Sequence, residues 1–152
     1  MKQREGRKDL PMGWWLEIMD TGDRIELWIK DGLGVRGRMV MVETKIPTLG
    51  KIWEMEYIIG GGGYGSMLYE VGLEIVGGRG LGMILDRTGV SESGKEMVRR
   101  YSGVVRSGEL PKWWIRGEGL GDREEYLNRY YWKDGNEVLR RLMDNGQVKE
   151  VG

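Results

Sequence analysis

The sequence predicts an α/β domain of the α+β type, in which helices pack on a mixed, mostly antiparallel sheet. Between residues 13 and 59, short apolar runs are separated by turn-forming residues, as in successive strands. After the glycine-rich stretch at residues 60–65, apolar residues recur at helical spacing and alternate with shorter strand-like runs. This order, strands first and helices later, favours a sheet covered by helices.

The chain length predicts one domain. The chain has 152 residues, of which 39% are hydrophobic and 32% are charged, and such a composition is typical of a folded globular protein. No internal repeat and no linker divides the chain, so residues 1–152 are interpreted as one unit. Residues 1–12 are basic and lack an apolar pattern, which makes them a candidate for a flexible N-terminal arm.

The first four strands are predicted at residues 13–19, 24–29, 36–43 and 51–59. In the fourth strand, strict alternation puts Trp53, Met55 and Tyr57 on one face and Glu54 and Glu56 on the other. The two glutamates are therefore expected to share one polar surface.

The second half of the chain is predicted to contain more helix. A helix is expected at residues 64–76, a buried strand at 82–85, and a second helix that begins at Ser91 or Ser93 and ends near Tyr101. The remaining elements are predicted as a strand at residues 112–116 and helices at residues 123–132 and 136–143.

Four residue types are absent from the sequence, and their absence limits which catalytic groups and metal sites the chain can have. The chain has no cysteine, histidine, alanine or phenylalanine, whereas it has 27 glycines. Without cysteine there are no disulfides, thiolate metal sites or cysteine nucleophiles. Without histidine, a general base must be a carboxylate, an amine, a tyrosine or a water molecule. Ser-His-Asp catalysis and most zinc enzymes are excluded.

Charge and hydropathy indicate the expected surroundings. Lysine plus arginine and aspartate plus glutamate number 24 each, so no overall charge favours a nucleic acid as partner. No apolar run approaches the roughly 20 residues of a membrane span. No signal peptide is recognisable at the N-terminus, and a cytoplasmic location is expected. The basic clusters are interpreted as solvated charge; they comprise Lys2, Arg4, Arg7, Lys8, Arg99, Arg100 and Arg106.

The glycine-rich turn is a candidate anion site. Backbone N–H groups of such a turn can approach a phosphate closely, and the N-terminus of the following helix adds about half a positive charge. The same composition also suits a plain connection between a strand and a helix. The candidate binding residues are Gly61, Gly62, Gly63, Tyr64, Gly65 and Ser66.

Residues 49–101 resemble small GNAT-like acyltransferases encoded by bacteriophages and related viruses. Those proteins have a W-E-V-like strand, G-Y-G-P-L-(L/M)-Y-D, G-G-L-(M/T)-x-D-R, and V-S-x-x-A-x-x-V-W-x-x-Y. The chain has W-E-M at residues 53–55, G-Y-G-S-M-L-Y-E at 63–70, L-G-M-I-L-D-R at 81–87, and V-S at 90–91 followed by Tyr101. The motifs occur in the same order and at matching spacing.

The resemblance implies an N-acyltransferase that uses acetyl-CoA or another acyl-CoA and transfers the acyl group directly to an amine acceptor. It implies that the pyrophosphate binds the glycine turn. It also implies that the pantetheine arm lies where the strands at residues 51–59 and 82–85 splay apart. Two positions depart from the general GNAT pattern: Gly60 replaces a basic or glutamine residue, and Val98 replaces a tyrosine that protonates the leaving thiolate.

Three residues are candidates for catalysis. Glu54 is the first candidate for the base that takes the proton of the amine, because the W-E motif contains it. Glu56 is the second candidate, since it shares the predicted face of the strand. Tyr101 lies one turn beyond Val98 and is a candidate acid, although it could equally be a core aromatic residue.

Two other functions remain open from the sequence. The chain could be a viral binding or structural protein that keeps the GNAT fold without turnover, which Gly60 and Val98 favour. It could also be a phage enzyme that acylates DNA bases, against which the balanced charge argues.

Overall fold

The computed structural model describes residues 7–152. The strands are β1 (Trp15–Asp20), β2 (Arg24–Asp31), β3 (Gly34–Ile46), β4 (Gly50–Gly60), β5 (Met83–Leu85), β6 (Arg106–Glu109), β7 (Arg129–Trp132) and β8 (Val148–Val151). The helices are α1 (Tyr64–Val76), α2 (Glu92–Tyr101), α3 (Lys112–Gly117) and α4 (Glu137–Asp144), and a 3₁₀ helix spans Glu125–Asn128. None of the helices in residues 7–152 has both the length and the apolar character needed to cross a membrane.

The eight strands in the described part of the chain belong to one open sheet with the order β6-β7-β5-β4-β3-β2-β1-β8. Neighbouring strands are antiparallel except at two places, where β4 pairs with β5 and β1 pairs with β8 in parallel. The sheet is therefore mixed and mostly antiparallel, with four helices packed on it, which confirms the predicted fold class.

The two faces of the sheet bury separate apolar clusters. Helices α1, α2 and α4 cover one face, where Ile25, Met39 and Trp53 of the central strands are fully buried. The shorter helix α3 covers part of the opposite face and packs Trp114 near Ile52. The long helix α1 and the short helix α3 thus lie on opposite sides of β4.

A β-bulge in β4 overturns the predicted alternation of this strand. Met41 pairs with Met55 and Val40 pairs with Tyr57, so Glu56 is an extra residue with no partner of its own. Beyond a bulge the side chains change faces. Tyr57 is therefore 46% exposed, whereas Ile58 packs against the core beneath α1. The prediction that Tyr57 shares a face with Trp53 and Met55 was wrong.

Two predicted elements in the last third of the chain were also wrong. Residues 112–116 were predicted as a strand but form α3, which begins directly after Pro111, a residue with φ suited to a helix start. Residues 123–132 were predicted as one helix but form the 3₁₀ helix and β7. The aromatic residues of the segment 129–132 are compatible with a strand as well as with a helix. In the structure they pair with β6 and therefore form a strand. Strands β6 and β8 were not predicted.

The sequence predicted that the second helix begins at either Ser91 or Ser93. Ser91 is the N-cap of α2, since its hydroxyl accepts a hydrogen bond from the N–H of Gly94 at 3.1 Å. This is the usual way to satisfy an N–H group that the first helical turn leaves without a partner.

Two buried glutamates of α1, Glu70 and Glu74, bind groups outside their own helix. The carboxylate of Glu74 accepts hydrogen bonds from the N–H groups of Val138 and Leu139 in α4, each at 2.9 Å, and from Lys133. Glu70 accepts from Lys133 as well. Burial of Lys133 by itself lowers its pKa, but the hydrogen bond and charge of Glu74, followed by those of Glu70, outweigh this effect and raise the pKa.

Candidate functional site

The glycine turn connects β4 directly to α1. Gly63 is the N-cap of α1 and has φ 90°, and Gly62 has φ 63°; both values lie in the left-handed region that favours glycine. Gly60 and Gly65 pack closely, because a Cβ atom on Gly65 would lie 2.9 Å from the carbonyl oxygen of Gly60. The turn is thus tight. The N–H of Tyr64 donates to the carbonyl oxygen of Gly61 and the N–H of Met67 to that of Gly63, so within residues 7–152 the N–H groups of Gly65 and Ser66 are the ones left for a ligand at the start of α1.

Two guanidinium groups contact this turn. The Nε of Arg7 donates to the carbonyl oxygen of Gly62, and its guanidinium lies over the ring of Tyr64 at 4.9 Å. From α2, Arg100 donates through Nη2 to the hydroxyl of Ser66 at 2.9 Å. The Nε atom of Arg100 is buried and has no hydrogen-bond partner among the described residues. Positive charge is therefore concentrated where the amide groups of α1 begin.

The predicted N-terminal arm is described only from Arg7 onwards. In addition to the contacts of Arg7 with the turn, Asp9 pairs with Arg141 of α4 at 2.6 Å. Leu10 is 7% exposed and belongs to the core beneath α1. Residues 7–10 hence lie against α1 and α4, beside the glycine turn.

Strands β4 and β5 separate close to the bulge. They pair in parallel over three residues of each strand, ending with Met55 and Leu85. Beyond Met55, the pairing described for β4 is with β3 alone. Among residues 7–152, the edge of β4 that faces β5 therefore has no strand partner between Glu56 and Gly60, on the way to the glycine turn.

A charged cleft of about 740 Å³ opens beside the bulge. It lies on the face of the sheet opposite α1. Its acidic lining residues are Glu54, Glu56, Asp86 and Glu118, and its basic lining residues are Arg24, Arg38 and Arg87. We call this the acceptor cleft. Arg38 donates to Glu26 just outside the cleft, and this hydrogen bond, aided by one from Arg24, holds the pKa of Glu26 below its ordinary value.

Glu54 lies deep in the acceptor cleft and is held by Arg87. Its residue exposure is 7%. One carboxylate oxygen accepts from the backbone N–H of Arg87 at 2.7 Å and from its Nε at 3.2 Å, and the other accepts from Nη2 at 3.3 Å. Arg87 also donates to Glu118 at 2.6 Å. Both oxygens of Glu54 are thus engaged with one arginine.

The side chain of Glu56 is less constrained than that of Glu54. Its side chain is 43% exposed, and its ion pair with Arg24 is long, with 3.9 Å between Oε1 and Nη1. It stands on the bulge where the pairing of β4 with β5 ends. Its carboxylate can therefore turn towards a ligand in the acceptor cleft.

Tyr101 lies in the core beneath the opposite face of the sheet. Its hydroxyl donates to Oε1 of Glu70 at 2.8 Å, and neighbouring Val98 is 1% exposed. The structure therefore brings Glu54 and Glu56 into one cleft and places Tyr101 in the polar network of α1.

Four arginines lie around these sites, namely Arg7, Arg87, Arg100 and Arg123, and none of them was among the predicted site residues. Arg87, the last residue of the motif at residues 81–87, pairs with Glu54 and Glu118. Arg7 and Arg100 were interpreted as solvated charge, and no local pattern distinguishes them from Arg99 or Arg106, whose side chains are 61% and 65% exposed.

Comparison with known proteins gives no assignment. No family model matches the chain, and no curated protein matches it. The features that bear on function are therefore the glycine turn, the acceptor cleft and the motifs of residues 49–101.

Proposed function

We propose that the chain is an N-acyltransferase that uses an acyl-CoA, such as acetyl-CoA, and transfers the acyl group directly to an amine. The observation that carries the proposal is the tight glycine turn that joins β4 to α1, flanked by the guanidinium groups of Arg7 and Arg100. The resemblance of residues 49–101 to GNAT-like proteins supports the same function.

The residues of the turn fit the pyrophosphate of CoA. Gly65 and Ser66 offer backbone N–H groups at a helix N-terminus, and Arg100 supplies the side-chain charge that Gly60 cannot supply. The free edge of β4 between Glu56 and Gly60 can hydrogen-bond to the amides of the pantetheine arm. This path leads from the turn to the bulge and hence to the acceptor cleft.

The acceptor cleft suits an amine. Its lining has four carboxylates and three guanidinium groups, so an ammonium group is attracted to it. In the proposed step, Glu56 would take the proton of the amine nitrogen, directly or through one water. The acyl-CoA held by the glycine turn would supply the thioester carbon to which the nitrogen bonds, with the CoA thiolate as the leaving group and solvent as the source of its proton.

Within this mechanism Glu54 and Glu56 have different roles. Both oxygens of Glu54 are engaged with Arg87, so we assign Glu54 to positioning Arg87 and the wall of the cleft. Glu56 is exposed on the bulge and is assigned as the base. This order reverses the ranking made from the sequence, in which the W-E motif put Glu54 first.

The variant Gly61→Val tests the turn. A Cβ atom on Gly61 would meet no heavy atom within 4 Å other than those of its chain neighbours, so the fold should persist while the approach of a phosphate is blocked. We expect calorimetry to show CoA binding weakened by at least about tenfold. Gly63 and Gly65 are less suitable, because added Cβ atoms there crowd Arg7 and Gly60.

Gly78→Val is the matched control for this test. Gly78 is equally open but follows the other end of α1, whose 13 residues span about 20 Å. Equal CoA affinity of the Gly61→Val variant and the wild type would refute the pyrophosphate assignment.

Arg100→Gln tests the charge beside the turn. The substitution removes a charge-assisted contact to the pyrophosphate, and we expect the Kd of CoA to rise about tenfold. Arg99→Gln is the control, since Arg99 pairs with Glu96 on the exposed side of the same helix. If both variants bind CoA equally well, Arg100 has no part in the site.

One observation favours a second function, namely CoA binding without turnover. The hydroxyl of Tyr101 is bonded to Glu70, and position 98 has valine, so neither position of α2 presents a free acid. A protein of this kind would bind CoA and would leave every amine unmodified. Mass spectrometry of a mixture of amines incubated with acetyl-CoA separates the two functions.

A further inference from the structure

A second cavity, of about 640 Å³, adjoins the acceptor cleft. The two spaces share Asp86, Arg87 and Thr88, which follow β5. The remaining walls of the second cavity come from the loop before α2, from Lys95 of α2, and from residues 119–127, which contribute Asp122, Arg123 and Glu124. Glu124 pairs with Lys95 at 3.7 Å. A ligand in the acceptor cleft can therefore extend past Arg87 into this cavity, which we call the Arg123 cavity.

Arg123 is half-buried and contacts neutral groups. Its Nε donates to the side-chain oxygen of Asn128 at 2.8 Å, Nη2 donates to the carbonyl oxygen of Leu127 at 2.6 Å, and Nη1 donates to the carbonyl oxygen of Asp86 at 3.4 Å. A guanidinium has five N–H groups. Two of them therefore have no acceptor among residues 7–152, and none of the three contacts is with a carboxylate.

The charge of Arg123 is incompletely compensated by its surroundings. Burial lowers its pKa; the charges of Glu54 and Asp86 oppose this effect, while the charge of Arg87 adds to it, and the pKa remains lowered. Arg123 is thus a half-buried cation at the wall of a cavity, and some of its N–H groups have no acceptor among residues 7–152. Such a group can bind an anion.

We propose that the acceptor amine also carries an anionic group, a carboxylate or a phosphate, which binds Arg123 while the amine lies beside Glu56 in the acceptor cleft. This inference rests on the proposed function. It defines the substrate class as amines of the amino-acid or phosphorylated-amine type.

The anion belongs to the acceptor rather than to CoA. The glycine turn that is assigned to the pyrophosphate lines neither the acceptor cleft nor the Arg123 cavity. The Arg123 cavity instead continues from the acceptor cleft through Arg87, so one molecule can reach both.

Three matched amines test the inference: ethanolamine, O-phosphoethanolamine and β-alanine. The wild type should bind O-phosphoethanolamine or β-alanine at least about tenfold more tightly than ethanolamine in calorimetry, because only these two carry an anionic group that Arg123 can bind. Arg123→Gln should remove this difference and leave the Kd of CoA unchanged. The two anionic amines distinguish a phosphate site from a carboxylate site.

Arg106→Gln is the control, since Arg106 pairs with Asp134 on the surface, and it should keep the wild-type preference. If Arg123→Gln fails to fold, Arg123→Lys retains the charge without the forked geometry and should keep part of the preference. Equal affinity of the wild type for all three amines overturns the inference, as does weaker CoA binding by Arg123→Gln.

Turnover assays keep this inference separate from the proposed function. If the anionic amines bind through Arg123 but no amine is acylated, the anion site stands and acyl transfer is refuted. If amines are acylated without regard to an anionic group, acyl transfer stands and the anion site is refuted.

Discussion

Glu56→Gln is expected to lower kcat by about 10²–10⁴-fold, the usual loss when a general base is removed. An amine is mostly protonated at neutral pH and must lose a proton before it attacks the thioester. Glu56 is exposed on the bulge of β4 and lines the acceptor cleft. Glutamine has the same length but cannot accept the proton, so CoA affinity should stay near that of the wild type.

The matched variant is Glu54→Gln. It removes the carboxylate that holds Arg87, so it should lower the free energy of unfolding by about 1–3 kcal/mol and reduce kcat less than Glu56→Gln does. Steady-state kinetics and urea denaturation of both variants give the comparison. Normal turnover of Glu56→Gln together with an inactive Glu54→Gln would restore Glu54 as the base.

Glu74→Leu is expected to lower the free energy of unfolding by about 3–5 kcal/mol, as is typical when one member of a buried charged pair is removed. The side chain of Glu74 is fully buried. It accepts hydrogen bonds from Val138 and Leu139 at the start of α4 and pairs with Lys133. Leucine fills the space but leaves two N–H groups and an ammonium group without this acceptor.

Urea denaturation measures this effect as a lower midpoint with an unchanged slope. Glu137→Gln is the control, because the side chain of Glu137 is 69% exposed and pairs with Lys8 at 3.4 Å; such surface pairs contribute about 0–1 kcal/mol. A Glu74→Leu variant as stable as this control would show that Glu74 does not hold α4 on α1.

The first four strands and the helices α1, α2 and α4 could be predicted because each is determined by residues that are close together in the sequence. The first four strands follow from apolar runs between turns, and α1, α2 and α4 follow from helical spacing and from capping residues such as Ser91. The same local reasoning located the glycine turn and put Glu54 and Glu56 together at the acceptor cleft. Each of these features depends on residues within about one or two turns or one strand of each other.

Two of the wrong predictions depended on contacts between distant segments. Residues 129–132 have aromatic side chains that suit a helix face or a strand, and pairing with β6 makes them a strand. The bulge at Glu56 results from the register between β3 and β4, which the alternation within β4 cannot reveal. In both cases the competing local structures are close in free energy, and the partner strand decides between them.

The environment of each charged residue was likewise decided by the tertiary structure. In the sequence, Arg99 and Arg100 are adjacent and indistinguishable, but α2 turns Arg99 to the surface and Arg100 to the hydroxyl of Ser66. Arg87 meets Glu54 across 33 positions of the chain. Hydrophobic patterns tell which face of an element is buried, whereas the pairing of charges depends on which buried faces meet, and that is settled only when the helices pack on the sheet.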